Sequence, residues 1–158
     1  ILFIGQAFLM PPIRILGDTS RQLPLRKISK QIINARKGGE TLAMIGIRKP
    51  SLHFYTKQIV FYEPSSAEGI VNLFERFKFD RRINYQDKPN YDNESFLVVI
   101  DEYSSRAGPW SNINHQKLGT HGIYKLWRIK KSDLNVQANN LLNNGFGANW
   151  RNKKVEKF

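Results

Sequence analysis

The segment GIRKPSLHFYTK, residues 46–57, holds the side chains best suited to bind a charged ligand. It follows a predicted strand, contains the start of a predicted helix and supplies two cations, Arg48 and Lys49, directly after the strand. Free backbone N–H groups at a helix start and a nearby ammonium group both attract a phosphate. We therefore predict that Lys49, Ser51 and Arg48 contact an anion or a lipid phosphate.

A purely structural interpretation of this segment stays open. In that case Pro50 and Ser51 only begin a helix, and the apolar side chains of Leu52, Phe54 and Tyr55 pack in the core. The glycine spacing matches neither GxGxxG nor GxxxxGK[ST], so the sequence does not predict a nucleotide-binding loop.

Catalytic and metal-binding residues are not predicted in this chain. Asp101 and Glu102 follow a predicted strand, where adjacent carboxylates can bind a metal or transfer a proton. No D…E-x-K arrangement accompanies them, so a solvated loop pair is favoured. His53, His115 and His121 are too scattered for a metal-ligand motif. The sequence also has no cysteine and no GxSxG elbow, and we expect no cofactor in this chain.

The net charge is strongly positive. The chain has 25 Lys and Arg residues against 13 Asp and Glu, which gives a formal charge of +12 at pH 7. Such a surface attracts nucleic acid, anionic lipid headgroups and phosphorylated small molecules. Tyr124 and Trp127 are predicted to point to opposite faces of one strand and cannot form a single stacking platform for bases. Nucleic acid is therefore the least favoured of these partners.

These residues are placed on a predicted α/β domain. A chain of 158 residues with 41% hydrophobic residues fits one globular unit. Continuous apolar runs predict buried strands, and apolar residues at helical spacing predict helices. The predicted elements are helices over 23–39, 49–57 and from Ser65 onward, strands over 41–47, 59–62, 96–100 and 122–130, and a weak helix over 134–142. They predict a mixed sheet of about four strands with helices packed on it.

Finer details of this prediction concern loops, a cap and a sheet edge. Residues 80–95 and 103–119 are predicted to form irregular loops. Ser65 and Glu68 have the spacing of a capping box at a helix start. The strand over 122–130 alternates polar and apolar residues, which predicts one wetter face and a position at the edge of the sheet.

The chain opens with the apolar run ILFIGQAFLMPPIRIL, which has no charged residue before Arg14. It lacks the basic start of a secretory signal and is shorter than the roughly 20 apolar residues of a membrane span. We expect the last part of a transmembrane helix that leaves the bilayer near Pro11 and Pro12. The alternative is a segment buried in a protein core. The expected division is 1–16 for the end of the span, 17–131 for the α/β domain and 132–158 for a basic, weakly helical tail.

Three stretches carry a family resemblance, namely RQLPLRKISKQI, GETLAMIGIRKPSLHFYTKQIVFYE and GIYKLWRIKKSDL. Together they resemble the C-terminal soluble region of membrane-embedded glycosyltransferases of the protein-mannosyltransferase and aminoarabinose-transferase type. The likeness is strongest over residues 21–63 and thinner over 121–134. Its most specific part is the KPSLxFY stretch from Lys49 to Tyr55.

The resemblance implies a reaction, a location and partners. In such enzymes a sugar moves from a polyprenyl-phosphate carrier to an acceptor, and an α/β domain follows the last span on the extracytoplasmic side of the inner (plasma) membrane. The implied partners are the chain's own upstream transmembrane domain and a polyprenyl-phosphate-linked sugar or anionic lipid headgroups.

The catalytic acidic residues of that family belong to a loop outside this chain, so Asp101 and Glu102 inherit no catalytic role from the resemblance. We therefore expect an accessory extracytoplasmic domain of a glycosyltransferase that is inactive alone. The alternative is a freestanding basic α/β module that binds nucleic acid.

Overall fold

Five strands form the centre of the fold. The computed structural model describes residues 22–80, 83, 94–106 and 108–152. The strands are β1 (Leu42–Ile45), β2 (Val60–Glu63), β3 (Ser95–Asp101), β4 (Gln116–His121) and β5 (Tyr124–Lys130). The helices are α1 (Leu23–Ala35), α2 (Ser51–Thr56), α3 (Ala67–Phe79), α4 (Glu102–Arg106) and α5 (Lys131–Asn143), with 3-10 turns at Pro109–Asn112 and Trp150–Asn152.

The sheet is mixed, which confirms the predicted α/β class. Its strand order is β2-β1-β3-β5-β4, with β1, β2 and β3 parallel and the two remaining pairs antiparallel. Ile45 pairs with both Glu63 and Ile100, so the three parallel strands end together. We call this end of the sheet, with the loops after β1, β2 and β3 and the β4–β5 turn, the carboxyl edge. The amino edge is the opposite end, where β3 begins and β5 ends.

Helices cover both faces of the sheet and create two apolar cores. α3 and α5 pack on one face, and α1 and α2 pack on the other. Leu25, Ile28 and Ile32 of α1 are buried, as their helical spacing predicts. Trp127 belongs to the first core and Tyr124 to the second, so the two rings point to opposite faces, as predicted.

The sheet has one strand more than the predicted four, because residues 116–121 form β4 and not a loop. The strand over 122–130 is therefore not at the edge, since β5 lies between β3 and β4. The polar residues that suggested a wetter face make internal contacts. Lys125 donates to the Ser105 hydroxyl at 2.8 Å, and Arg128 bonds to Glu40 at 2.7 Å.

The capping box predicted at Ser65 and Glu68 is wrong. α3 begins after Ser66, whose side chain makes no capping hydrogen bond. The Glu68 carboxylate instead accepts a hydrogen bond of 3.0 Å from the side-chain amide of Asn149. Glu68 therefore contacts the segment after α5 and not its own helix start.

The predicted helical tail packs back on the domain. Leu134 and Ala138 of α5 are fully buried. Farther along, the backbone N–H groups of Asn149 and Trp150 donate to Oδ1 of Asn72 at 2.7 and 3.1 Å. The segment that ends at residue 152 is thus attached to α3.

Two predictions concern residues outside the described part of the chain. They are the membrane exit over 1–16 and most of the loop over 80–95. Among the residues that the structure describes, no helix combines the length and the hydropathy needed to cross a membrane.

Candidate functional site

The carboxyl edge is held together by close contact between two loops. Gly46, directly after β1, has a φ of +81°. A Cβ atom at this position would lie 2.4 Å from Oδ2 of Asp101 and 2.5 Å from Oγ of Ser104. Glycine has no Cβ and adopts a positive φ without strain, so it fits this approach. The loop after β1 and the start of α4 are therefore fixed against each other.

The predicted anion-binding residues lie at this edge, between β1 and α2. Arg48 is exposed, and its guanidinium carbon lies 5.0 Å from the ring centroid of Tyr62. The Tyr62 hydroxyl donates a hydrogen bond of 3.0 Å to the carbonyl oxygen of Lys49. Ser51 is the first residue of α2. Tyr62 thus holds the backbone that carries the three predicted residues.

The electrostatics of this loop come from its side chains. Burial raises the pKa of Tyr62 to about 12, against the opposing effect of the Arg48 charge. Tyr62 is therefore a neutral donor at pH 7. α2 has six residues, so few peptide dipoles add up at its start. An anion would be attracted mainly by Arg48 and Lys49, and the contact itself stays a prediction.

The adjacent carboxylates Asp101 and Glu102 serve the turn into α4. Asp101 is buried and accepts hydrogen bonds from the backbone N–H and the hydroxyl of Ser104, at 2.9 and 2.5 Å. Glu102 forms a surface ion pair with Arg106. Both carboxylates therefore bond to neighbouring residues of α4. A solvated pair was expected, but Asp101 is buried.

Two exposed apolar residues lie on neighbouring segments of the carboxyl edge. The side chain of Tyr103 in α4 is 81% exposed, and that of Ile123 in the β4–β5 turn is 50% exposed. The backbone N–H of Glu102, the residue before Tyr103, donates to the carbonyl of Ile123 at 2.9 Å, so the backbone of the β4–β5 turn lies against the start of α4. Large apolar groups at this exposure mark a candidate contact surface when they cluster.

The start of α1 adjoins the same edge. Gly122, beside Ile123 in the turn, has a φ of +58°, and a Cβ atom there would lie 3.0 Å from Cβ of Pro24. The phenol oxygen of Tyr55 in α2 also lies within 3.4 Å of Oε1 of Gln22. The described chain therefore enters the domain at the carboxyl edge.

The amino edge contains a buried ion pair. The side chain of Glu40 is fully buried and accepts hydrogen bonds from Arg128 at 2.7 Å, from the Ser95 hydroxyl at 2.5 Å and from the backbone N–H of Lys37 at 2.8 Å. Burial acts to raise the pKa of Glu40, but these hydrogen bonds outweigh it and hold the pKa below its usual range. The Arg128 charge is thus neutralised inside the fold.

A cavity of about 310 Å³ opens beside this ion pair. Besides Arg128, its charged lining residues are Lys37, Lys130, Glu94 and Asp133. Two cations therefore face two carboxylates, and the remaining arginine is paired with Glu40. A balanced lining gives a single anion little electrostatic preference for this cavity.

The histidines are dispersed, as the sequence predicts. The ring of His115 stacks on Trp127 at a centroid distance of 3.7 Å, and its Nδ1 lies 2.8 Å from the carbonyl of Ile113. His53 contacts the carbonyl of Gln58 within its own loop. Across the described residues, no three His, Asp or Glu side chains are grouped so that they could hold a metal ion.

Sequence reasoning missed Tyr103 and Ile123 because it treated residues 103–119 as a loop and did not find the β4–β5 hairpin. A signal was present, since a two-residue turn that contains glycine between two strands indicates a hairpin. Gly122 and Ile123 form this turn. Finding it would have placed Ile123 at the same end of the sheet as the loop after β3.

A family model matches most of the chain. Residues 35–145 match the C-terminal domain of cyanobacterial RgtA-type glycosyltransferases. The chain belongs to this family of glycosyltransferase C-terminal domains. Comparison with curated proteins and with solved structures finds no match for the chain.

The match extends from the last residue of α1 to just beyond α5, so it includes Arg48, Lys49, Ser51 and the whole sheet. The expected glycosyltransferase domain is therefore confirmed at the level of this family.

Proposed function

We propose that this domain is the accessory extracytoplasmic part of a membrane-embedded glycosyltransferase that moves a sugar from a polyprenyl-phosphate carrier to an acceptor. The observation that carries the proposal is the family match over residues 35–145. The finer resemblance to the protein-mannosyltransferase and aminoarabinose-transferase type supports the lipid-linked donor. The catalytic acidic residues would lie in a membrane-associated part of the enzyme outside this chain.

The domain would help to hold the anionic carrier at the carboxyl edge. Arg48 and Lys49 supply charge there, and the Tyr62 hydroxyl fixes the carbonyl of Lys49 at 3.0 Å. Ser51, the first residue of α2, supplies a hydroxyl donor. These residues suit the phosphate of a polyprenyl carrier, which is the group that all such donors share.

The proposed location is the extracytoplasmic side of the inner (plasma) membrane, beside an upstream transmembrane domain. A charge of +12 does not argue against this side. The tendency of positive charge to stay in the cytoplasm concerns short loops, whereas large domains are translocated largely regardless of charge.

A vesicle-binding experiment tests the carrier site. The chain is mixed with neutral phospholipid vesicles that contain either polyprenyl phosphate or uncharged polyprenol, and the bound fraction is measured by flotation. We expect binding to the phosphate-bearing vesicles, weakened severalfold by Lys49→Ala. Lys130→Ala is the matched control, because it removes the same charge from the exposed end of β5 at the amino edge.

Equal weakening by the two substitutions would leave only diffuse attraction, worth about 1 kcal/mol per cation near an anionic surface. The site at Lys49, Ser51 and Arg48 would then be rejected. Salt separates the two cases, because exposed charges are screened within about 10 Å at 0.1 M salt whereas a partly buried contact persists.

A turnover assay tests the accessory role. The purified chain should transfer no sugar from polyprenyl-phosphate donors, with or without a divalent metal. Measurable transfer by the chain alone would contradict the proposal.

The alternative of a nucleic-acid-binding module has less support. Tyr124 and Trp127 are both buried and lie on opposite faces of the sheet, so they offer no shared platform to a base. If single-stranded nucleic acid competes for the chain better than polyprenyl-phosphate vesicles at equal charge and salt, the alternative replaces the proposal.

A further inference from the structure

We propose that the domain lies on the lipid bilayer with its carboxyl edge, so that Tyr103 and Ile123 enter the interface between headgroups and acyl chains. The inference rests on the proposed function for the presence of a membrane. It goes beyond that function because it assigns the face of the domain that touches lipid and the two side chains that enter it.

The first step is the exposure of these side chains. Tyr103 is 81% exposed and Ile123 is 50% exposed, and the hydrogen bond from the N–H of Glu102 to the carbonyl of Ile123 holds their two segments together. A tyrosine beside an aliphatic residue suits the membrane interface, where the ring is partly in apolar surroundings and its hydroxyl stays hydrated.

The second step is the place at which the chain enters the domain. Pro24 contacts Gly122, the residue directly before Ile123. The sequence ahead of α1 has no charged residue before Arg14. The eight peptide steps between Arg14 and Gln22 reach at most about 29 Å. An anchor in that apolar run would hold the carboxyl edge near the bilayer.

The amino edge lies on the far side of the sheet from this entry point. β3 has seven residues, which corresponds to a length of about 23 Å. A link that joins the domain at Gln22 therefore attaches at the carboxyl edge, about 23 Å from the amino edge.

The third step is charge. Around the exposed pair, Arg48 is exposed, Lys49 and Lys125 are half-buried, and Arg106 is paired with Glu102. The other carboxylates among the described residues of this edge are those of Asp101, buried against Ser104, of Glu63, bonded to Arg76, and of Glu68, bonded to Asn149. The balance is positive, so this edge is attracted to anionic headgroups, and a surface with apolar and basic groups binds lipid through both.

The chain is well suited to a site-specific test, because it contains no cysteine. Single substitutions Ile123→Cys and Ile33→Cys introduce one label each. The two isoleucines are matched, since their side chains are 50% and 51% exposed. Ile33 lies in the last turn of α1, whose final carbonyl, that of Ala35, accepts a hydrogen bond from Arg128 at the amino edge.

Each variant is labelled with an environment-sensitive fluorophore and mixed with vesicles of phosphatidylglycerol and phosphatidylcholine, with or without a quencher on the acyl chains. We expect the label at position 123 to shift to the blue and to lose most of its emission to the quencher. The label at position 33 should keep its emission. Tyr103→Cys, at the most exposed of these positions, is a second reporter that should behave like position 123.

Flotation of the same samples distinguishes the inference from the function on which it rests. If the chain floats with the vesicles but both labels are quenched equally, or neither is, the assigned face is wrong and membrane association stands. If the chain does not float, both membrane association and the inference are contradicted. A blue shift without quenching by lipid would indicate that protein covers the edge, and this result would also overturn the inference.

Discussion

The two edges of the sheet use their charges differently. At the amino edge Arg128 is bonded to Glu40, and Glu40 is satisfied by three donors. At the carboxyl edge Arg48 is exposed beside Tyr62, and Tyr103 and Ile123 extend into solvent. The net charge of +12 is a property of the whole chain, but only cations that are not neutralised inside the fold can attract a ligand. The comparison therefore supports the proposal of a functional surface at the carboxyl edge, whereas the Arg128–Glu40 pair at the amino edge stabilises the fold.

The cavity at the amino edge sharpens this comparison. Its volume of about 310 Å³ is within the range of small-molecule binding sites. Its charges are balanced, however, and its arginine is committed to Glu40. In our proposal an anionic carrier gains more from the carboxyl edge.

The largest expected effect is loss of stability on removal of the buried carboxylate at the amino edge. Glu40→Ala leaves Arg128 without its partner, and breaking a buried ion pair in this way costs about 3–5 kcal/mol. Urea denaturation should show a correspondingly lower free energy of unfolding. Glu94→Ala, an exposed carboxylate at the same edge, is the control and should change stability by less than about 0.5 kcal/mol. Similar losses in the two variants would contradict a structural role specific to Glu40.

A somewhat smaller effect is expected at the carboxyl edge from Gly46→Ala. The new Cβ meets Asp101 at 2.4 Å in a left-handed backbone conformation. The conformation alone costs about 1–2 kcal/mol, and the contact adds to this cost. Gly147→Ala is the matched control, because a Cβ there has no neighbour within 4 Å. If the two alanine variants unfold at the same urea concentration, the loop after β1 is not packed against α4 as described.

The pH dependence of stability should identify Glu40 as a charged group in the folded protein. Its pKa is lowered on folding, because hydrogen bonds from Arg128 and other donors outweigh its burial. A lowered pKa contributes stability above the unfolded value, about 4.3 for glutamate, and that stability is lost as the pH falls through the folded value. The difference in unfolding free energy between the wild-type chain and Glu40→Gln should therefore shrink below about pH 4. A difference that stays constant from pH 7 to acid would count against the ionised pair.

The smallest effect concerns Tyr62, which reports on Arg48. The phenol should ionise near pH 12, because burial raises its pKa and the nearby Arg48 charge offsets this only in part. Tyrosinate absorbance, measured as the difference between the wild-type chain and Tyr62→Phe, gives this value. Arg48→Gln should move it slightly higher. Ionisation near pH 10, the usual value for tyrosine, would mean that Tyr62 is not buried beneath this loop.

The sequence was sufficient to predict the parallel half of the sheet. β1 and β3 are continuous apolar runs, which is typical of strands covered on both faces. The spacing of Leu25, Ile28 and Ile32 was sufficient for α1 in the same way. The burial of these elements can be predicted from the types and spacing of their own residues.

The antiparallel half could not be predicted so well, because its burial depends on distant partners. β4 reads QKLGTH, is largely exposed and pairs on one side only, so its pattern resembles that of a loop. β5 resembled an edge strand because it carries Lys125 and Arg128, whose partners Ser105 and Glu40 lie far away in the sequence.

The candidate site was predicted only in part. Arg48, Lys49 and Ser51 were predicted because the end of a buried strand is followed by cations and a helix start, and their role stays a prediction. Tyr103 and Ile123 were missed because residues 103–119 were interpreted as a loop, which hides the β4–β5 hairpin that brings Ile123 to this edge. Their proximity follows from the pairing of β3 with β5.

Amide hydrogen exchange, measured with and without vesicles that contain polyprenyl phosphate, tests most directly the claim that the carboxyl edge is the functional face. We predict that the vesicles slow exchange in residues 46–51, 102–106 and 122–124. Residues 114–118 and 128–133, beside the cavity at the amino edge, should exchange at unchanged rates. Protection confined to the amino edge, or spread equally over both edges, would contradict the account.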